Sequence, residues 1–165
     1  MSTKDWSFEP DQTIGYIVAA PYIEDARAAD APYYASTKTI QQCESEIWTL
    51  LSKLSASVLG FTAGKFNVRG VDRHGYVIRF IQAGQEGEIR VMGLPMRKPT
   101  PVKEKQVKVQ ALLIVRDWLK AAITARTFTP DSSPLIPYLL LPDGRTVGEA
   151  VAERQTQALL SSGND

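Results

Sequence analysis

The chain has 165 residues, 44% hydrophobic and 22% charged, enough apolar material for one core and too much for global disorder. Its single cysteine, Cys43, excludes an intramolecular disulfide and fits a reducing compartment. The longest apolar runs, such as Leu112 to Val115 and Leu139 to Leu141, are far too short to cross a bilayer.

The net charge of +1 conceals a gradient along the chain. Residues 1–64 carry a net −4, residues 65–126 a net +8, and residues 127–165 a net −3. A basic middle between acidic flanks points to an anionic partner for the middle segment. The start, Met1 to Trp6, has neither the basic residues nor the apolar run of a signal peptide. The expected location is cytoplasmic.

In chain order, residues 1–35 read as an irregular lead-in, with a short strand over Ile14 to Ala20 ended by Pro21. Asp25 to Pro32 reads as a mobile Ala- and Asp-rich stretch. Residues 36–160 read as a single α+β domain. A first helix is predicted from about Thr39 to Leu54. Thr39 and Gln42 make a capping box, and Ile40, Cys43, Ile47, Leu50, Leu51 and Leu54 fall on one helical stripe. Three strands follow, within Val58–Arg69, over Tyr76–Gln82 and over Glu88–Leu94. The turns Gly70–Gly75 and Ala83–Gly87 imply antiparallel pairing.

Pro95, Pro99 and Pro101 interrupt the chain before a second helix over about Lys103 to Arg126. Its apolar face is predicted from Val107, Ala111, Ile114, Val115, Trp118 and Ala122. The tail then crosses through Pro130, Pro134 and Pro137 to a strand over Tyr138–Leu141 and the turn Pro142-Asp143-Gly144-Arg145. A last helix opens on a second capping box, Thr146 with Glu149. The fold class is therefore α+β: helix, three-stranded antiparallel sheet, helix, with both helices on one sheet face and a C-terminal strand-turn-helix appendage.

Strand alternation sorts the side chains between the two faces. With Phe66, Val68, Ile78, Phe80, Ile89 and Val91 turned to the helices, the open face carries Lys65, Arg69, Arg79 and Arg90. Lys103, Lys105 and Lys108, with Arg97 and Lys98, crowd the start of the second helix. Cations there oppose the helix dipole, by a few tenths to about 1 kcal/mol each. Phosphate would reward them. These seven residues, Lys65, Arg69, Arg79, Arg90, Lys103, Lys105 and Lys108, are the candidate nucleic-acid contacts. A merely solvated face would carry the same residue types.

No other pattern supplies chemistry. His74 is the only histidine and reads as a turn residue. Gly60 to Phe66 is one residue short of a P-loop, ends in Phe where Ser or Thr must reach magnesium, and precedes a strand. The close carboxylates Glu24-Asp25 and Glu44-x-Glu46 read as solvated pairs. No catalytic residue, metal site or cofactor is expected.

The helix–three strands–helix order, with lysines at the second helix start and His74 between the first two strands, resembles the layout of double-stranded-RNA-binding domains. The C-terminal third carries Ala111-Leu112-Leu113-Ile114-Val115, Leu119-Lys120-Ala121 and Leu141-Pro142-Asp143-Gly144-Arg145-Thr146-Val147-Gly148-Glu149. This pattern resembles a family of small uncharacterised proteins encoded by bacteriophages and mobile genetic elements. The likeness spans roughly residues 36–150. The chain departs from the pattern at Pro130, Pro134 and Pro137, where a more acidic, helical link is expected. Membership implies a mobile-element origin and transfers no catalytic residue. The expected function is non-enzymatic nucleic-acid binding, to DNA or RNA, single- or double-stranded. The alternative is an inhibitor or adaptor that binds a host protein complex, and a small metal-dependent enzyme ranks third. No membrane partner is expected, and a homo-oligomer is compatible with the sequence.

Overall fold

The computed structural model describes residues 20–26, 33, 36–129 and 133–162. The strand expected over Ile14–Ala20 lies outside them except for Ala20, as does Pro130. The element order is α1 (Ile40–Lys53), β1 (Ala56–Val68), β2 (Val71–Gln82), β3 (Gln85–Met92), α2 (Pro101–Arg126), a 3-10 turn (Ile136–Tyr138) and α3 (Val147–Ser162). The strands form an antiparallel sheet in the order β1-β2-β3. Both long helices pack on one of its faces.

Helix α1 begins where its capping box ends the preceding loop. The Gln42 N–H donates to Thr39 Oγ1, and the Thr39 N–H donates to Gln42 Oε1. The predicted stripe is the buried face: Cys43, Ile47, Leu50, Leu51 and Leu54 lie in the core, with Ile40 packed against it. Burying side chains of this size contributes about 1.5–3 kcal/mol each. Burial also pushes the Cys43 thiol above its ordinary pKa, as suits a core residue.

Both hairpin turns are shorter than the sequence suggests. Arg69 and Gly70 have φ of 53° and 82°, and Ala83 and Gly84 have φ of 50° and 80°. Each pair is a two-residue loop with two left-handed residues, the geometry that matches strand twist. The strands therefore extend inward, and β2 starts at Val71, five residues before the predicted Tyr76. His74 lies within this strand and not in a loop. This departs from the double-stranded-RNA-binding layout.

Strand β1 contains a bulge that reverses the predicted facing of its second half. Val58 pairs with Phe80 and Gly60 with Arg79, so Leu59 is an extra residue. Before it, even-numbered Ala56 and Val58 face the helices and are buried. After it, odd-numbered residues do, because side-chain direction has period two. Phe66 consequently pairs with Arg73 on the open face, and Lys65 pairs with His74 on the helix face. Phe66 is thus not a core residue, whereas Ile78, Phe80 and Ile89 are.

Helix α2 starts two residues earlier than predicted. Thr100 Oγ1 accepts from the Lys103 N–H, and Pro101 takes the first helical position. Its buried face is wide, including Val107, Val109, Ala111, Leu112, Leu113, Val115 and Leu119, because α2 touches both α1 and the sheet. Ile114 is 39% exposed and does not join the core as expected. Trp118 packs against the core and meets Tyr138 edge-on at 5.1 Å. A Cβ on Gly93 would come within 2.2 Å of the Val107 carbonyl, so only glycine lets α2 cross so close behind β3. The buried Gln110 side chain accepts from the Leu94 N–H and ties the two together.

The tail closes the other sheet edge. The Leu140 N–H donates to the Glu86 carbonyl, and Leu139 bridges Gly87. Leu135 is fully buried, while Phe128 is 81% exposed. The Thr146–Glu149 capping box is present and opens α3. Among the described residues no helix is long and apolar enough to cross a membrane.

Candidate functional site

The seven predicted contacts do not share one surface. Arg79 and Arg90 stand together on the open face, each bound to carboxylates. Arg79 Nη2 lies 2.7 Å from Glu86, and Arg90 bonds Glu88 at 3.2 Å and Glu149 at 2.6 Å. These glutamates neutralise the face that the alternation reading made basic. The β2–β3 register sets Glu88 across from Arg79 and Glu86 on the same face, while Glu149 reaches Arg90 from α3.

Lys65 is on the opposite side of the sheet, for the bulge reason given above. Arg69 occupies the first hairpin turn. Lys105 lines a shallow depression with Ser36, Lys38 and Val102. Lys108 turns toward a cleft that Lys65 also lines, whereas the Lys103 ammonium goes to Glu24.

This cleft, about 710 Å³, lies between the β1–β2 hairpin, the loop before α2 and the first turns of that helix. Its walls include Lys65, Asp72, His74, Arg97, Glu104 and Lys108. Lys108 Nζ donates to Glu104 at 2.8 Å, four residues away on one helix face. His74 Nδ1 lies 3.6 Å from the same carboxylate, and Lys65 lies 3.9 Å from Asp72. Lys108, and less strongly His74 and Lys65, pull the Glu104 pKa below the usual carboxylate range. Gly64 and Gly70 leave the hairpin side of the cleft free of bulk.

The lead-in supplies an anchor that the sequence reading missed. Ile23 and Ala26 are buried, and the Ile23 N–H donates to the Pro95 carbonyl. Glu24 reaches the loop before α2. Its carboxylate accepts from the backbone N–H of Arg97, at 3.1 Å to each oxygen, and of Lys98 at 3.0 Å. Lys103 Nζ adds a fourth contact at 3.1 Å. These donors, the backbone groups foremost, hold the Glu24 pKa at about 2. Asp25 pairs with the Arg97 guanidinium, which also lies over the Tyr22 ring at 4.8 Å. The stretch expected to be mobile is fastened here as far as Ala26. The legible signal was charge complementarity between Glu24-Asp25 and Arg97-Lys98.

Comparison of the chain with protein-family models, with curated proteins and with solved structures gives no match. Function is therefore argued from the site's own geometry. Among the described residues no group of three or more His, Cys, Asp or Glu is placed to hold a metal ion. The Gly60–Phe66 stretch lies wholly within strand β1, so its glycines do not form a phosphate loop.

Proposed function

We propose that the protein binds nucleic acid without catalysis, through the cleft at the start of α2 and not through the open sheet face. The observation that carries this reading is the convergence of Lys65 from β1 with Arg97 and Lys108 around one cleft. The cleft's own carboxylates are Asp72, 3.9 Å from Lys65, and Glu104, 2.8 Å from Lys108, so these lysines exchange carboxylate for phosphate on binding. Cations gathered on a concave surface attract a phosphate backbone, and the absence of a base-reading motif suits sequence-independent binding. The origin in a bacteriophage or mobile element, implied by the C-terminal motif, belongs to the same proposal.

A second reading is favoured by the open face. There Phe66, Val68, Val77, Ile81 and Met92 are only partly buried, and the arginines are already paired. Apolar side chains among neutralised charges suit a protein partner better than phosphates.

Fluorescence anisotropy with labelled single- and double-stranded DNA and RNA at low salt separates the two. Binding that falls with salt with a log–log slope of about −2 to −3 is expected for two to four contacting cations. No binding at tens of micromolar would remove the nucleic-acid reading and leave the protein-partner reading in first place.

A further inference from the structure

Among the described residues of the lead-in, Glu24 accepts from both backbone and side-chain donors, and its surroundings do not require a carboxylate from this chain. Two successive backbone N–H groups, of Arg97 and Lys98, converge on it with the Lys103 ammonium. Successive N–H groups aimed at one point form an anion nest. This nest lies in the loop ahead of α2, whose own first turn is capped by Thr100. The Glu24 side chain is only 18% exposed, so its carboxylate is largely shielded from water where the nest holds it.

We propose that Glu24 stands in for a phosphate: residues 22–26 form a strap whose carboxylate fills an anion nest of Arg97, Lys98 and Lys103, and a nucleic-acid phosphodiester takes that nest when the strap leaves. The inference rests on the nucleic-acid reading above and adds a competitor built into the chain. A carboxylate oxygen and a phosphate oxygen ask the same of a donor, and both are charged acceptors. The strap is held by two buried side chains and by polar contacts to one loop. Ile23 and Ala26 are buried, one backbone bond reaches Pro95, and Asp25 and Tyr22 engage Arg97. When Glu24 leaves, the two N–H groups lose their acceptor, Lys103 keeps only the Lys98 carbonyl, and Arg97 is released toward the cleft it already lines. The strap therefore both blocks the nest and restrains a cation of the binding surface.

The test follows the amide signals of Arg97 and Lys98 by NMR while inorganic phosphate is added to the wild-type chain and to Glu24→Ala. In the variant both amides should shift, at a phosphate concentration about tenfold lower than in the wild type, since a charged competitor has been removed. Equal shifts in both proteins, or none in the variant, overturn the proposal. If Glu24→Ala loses native signal dispersion, Glu24→Gln is read by the same criterion, since it keeps the side-chain volume while giving up the charge and one acceptor oxygen. A parallel oligonucleotide titration keeps the two readings apart. Phosphate binding by the variant without oligonucleotide binding keeps the strap and removes the nucleic-acid reading. Equal oligonucleotide affinity of wild type and variant, with no gain for phosphate, keeps that reading and removes the strap.

Discussion

The ring of Phe80 lies directly over Gly87, its cross-strand partner: a Cβ added to Gly87 would come within 2.3 Å of the ring's Cζ. The aromatic covers the gap that glycine leaves in β3, and glycine admits the ring. Phe80 is fully buried, so Phe80→Ala should cost about 3–5 kcal/mol in urea unfolding. Gly87→Ala should cost about 1–3 kcal/mol by overpacking. The double variant should cost less than the sum, because the methyl then enters space the ring has vacated. Strict additivity would show that the two residues are not coupled.

Ala83 is the weak residue of the second hairpin. It adopts φ of 50° beside Gly84 at 80°, a conformation that alanine pays for and asparagine tolerates. Ala83→Asn creates the residue pair preferred for this turn and should stabilise by about 1 kcal/mol. A fall in melting temperature would mean that the backbone there differs from a two-residue turn.

The element order, both capping boxes and the α1 stripe were legible because each rests on local periodicity or on residues three apart. The facing of Lys65 and Phe66 was not, because one inserted residue, Leu59, changes the phase of everything after it. No composition marks that bulge, although Gly60 stands beside it. The candidate site failed for a related reason. Glu86, Glu88 and Glu149 neutralise Arg79 and Arg90 only through strand register and tail docking, which a residue-by-residue charge count does not contain. The cations at the α2 start were legible as a run, while their partner Glu24 lies more than seventy residues away in sequence.

Acid should remove the stability that Glu24 contributes. Glu24 has a folded pKa of about 2, below the roughly 4.3 of an unfolded glutamate. A depressed carboxylate contributes stability that is fully present above the unfolded value and lost as pH falls toward the folded one. The Lys103 ammonium and the backbone N–H groups of Arg97 and Lys98 face this carboxylate, with the Asp25–Arg97 pair beside it. Glu46, Asp143 and Glu149 are also lowered, so both the wild type and Glu24→Gln weaken in acid. The difference between their melting temperatures should be constant from pH 7 to about 5 and shrink toward pH 2. A difference independent of pH would show that Glu24 is not held as a carboxylate.

Placing the binding surface in the cleft and not on the sheet makes opposite demands on two basic residues. Lys65 is 60% exposed and meets Asp72 only at 3.9 Å, so removing it frees no buried charge. Lys65→Ala should leave the melting temperature unchanged, weaken binding to all sequences alike, and lower the salt slope by about one unit. Lys108→Ala should do the same, with a small loss of stability as Glu104 loses its helix partner. Arg79 is paired as Lys108 is, but it stands on the open face, across the sheet from the cleft, and so does not meet a phosphate bound there. Arg79→Ala should leave both affinity and salt slope unchanged. If Arg79→Ala weakens binding as much as Lys65→Ala does, the nucleic acid reaches the open face, the glutamates there are displaced on binding, and the cleft is not the principal contact surface.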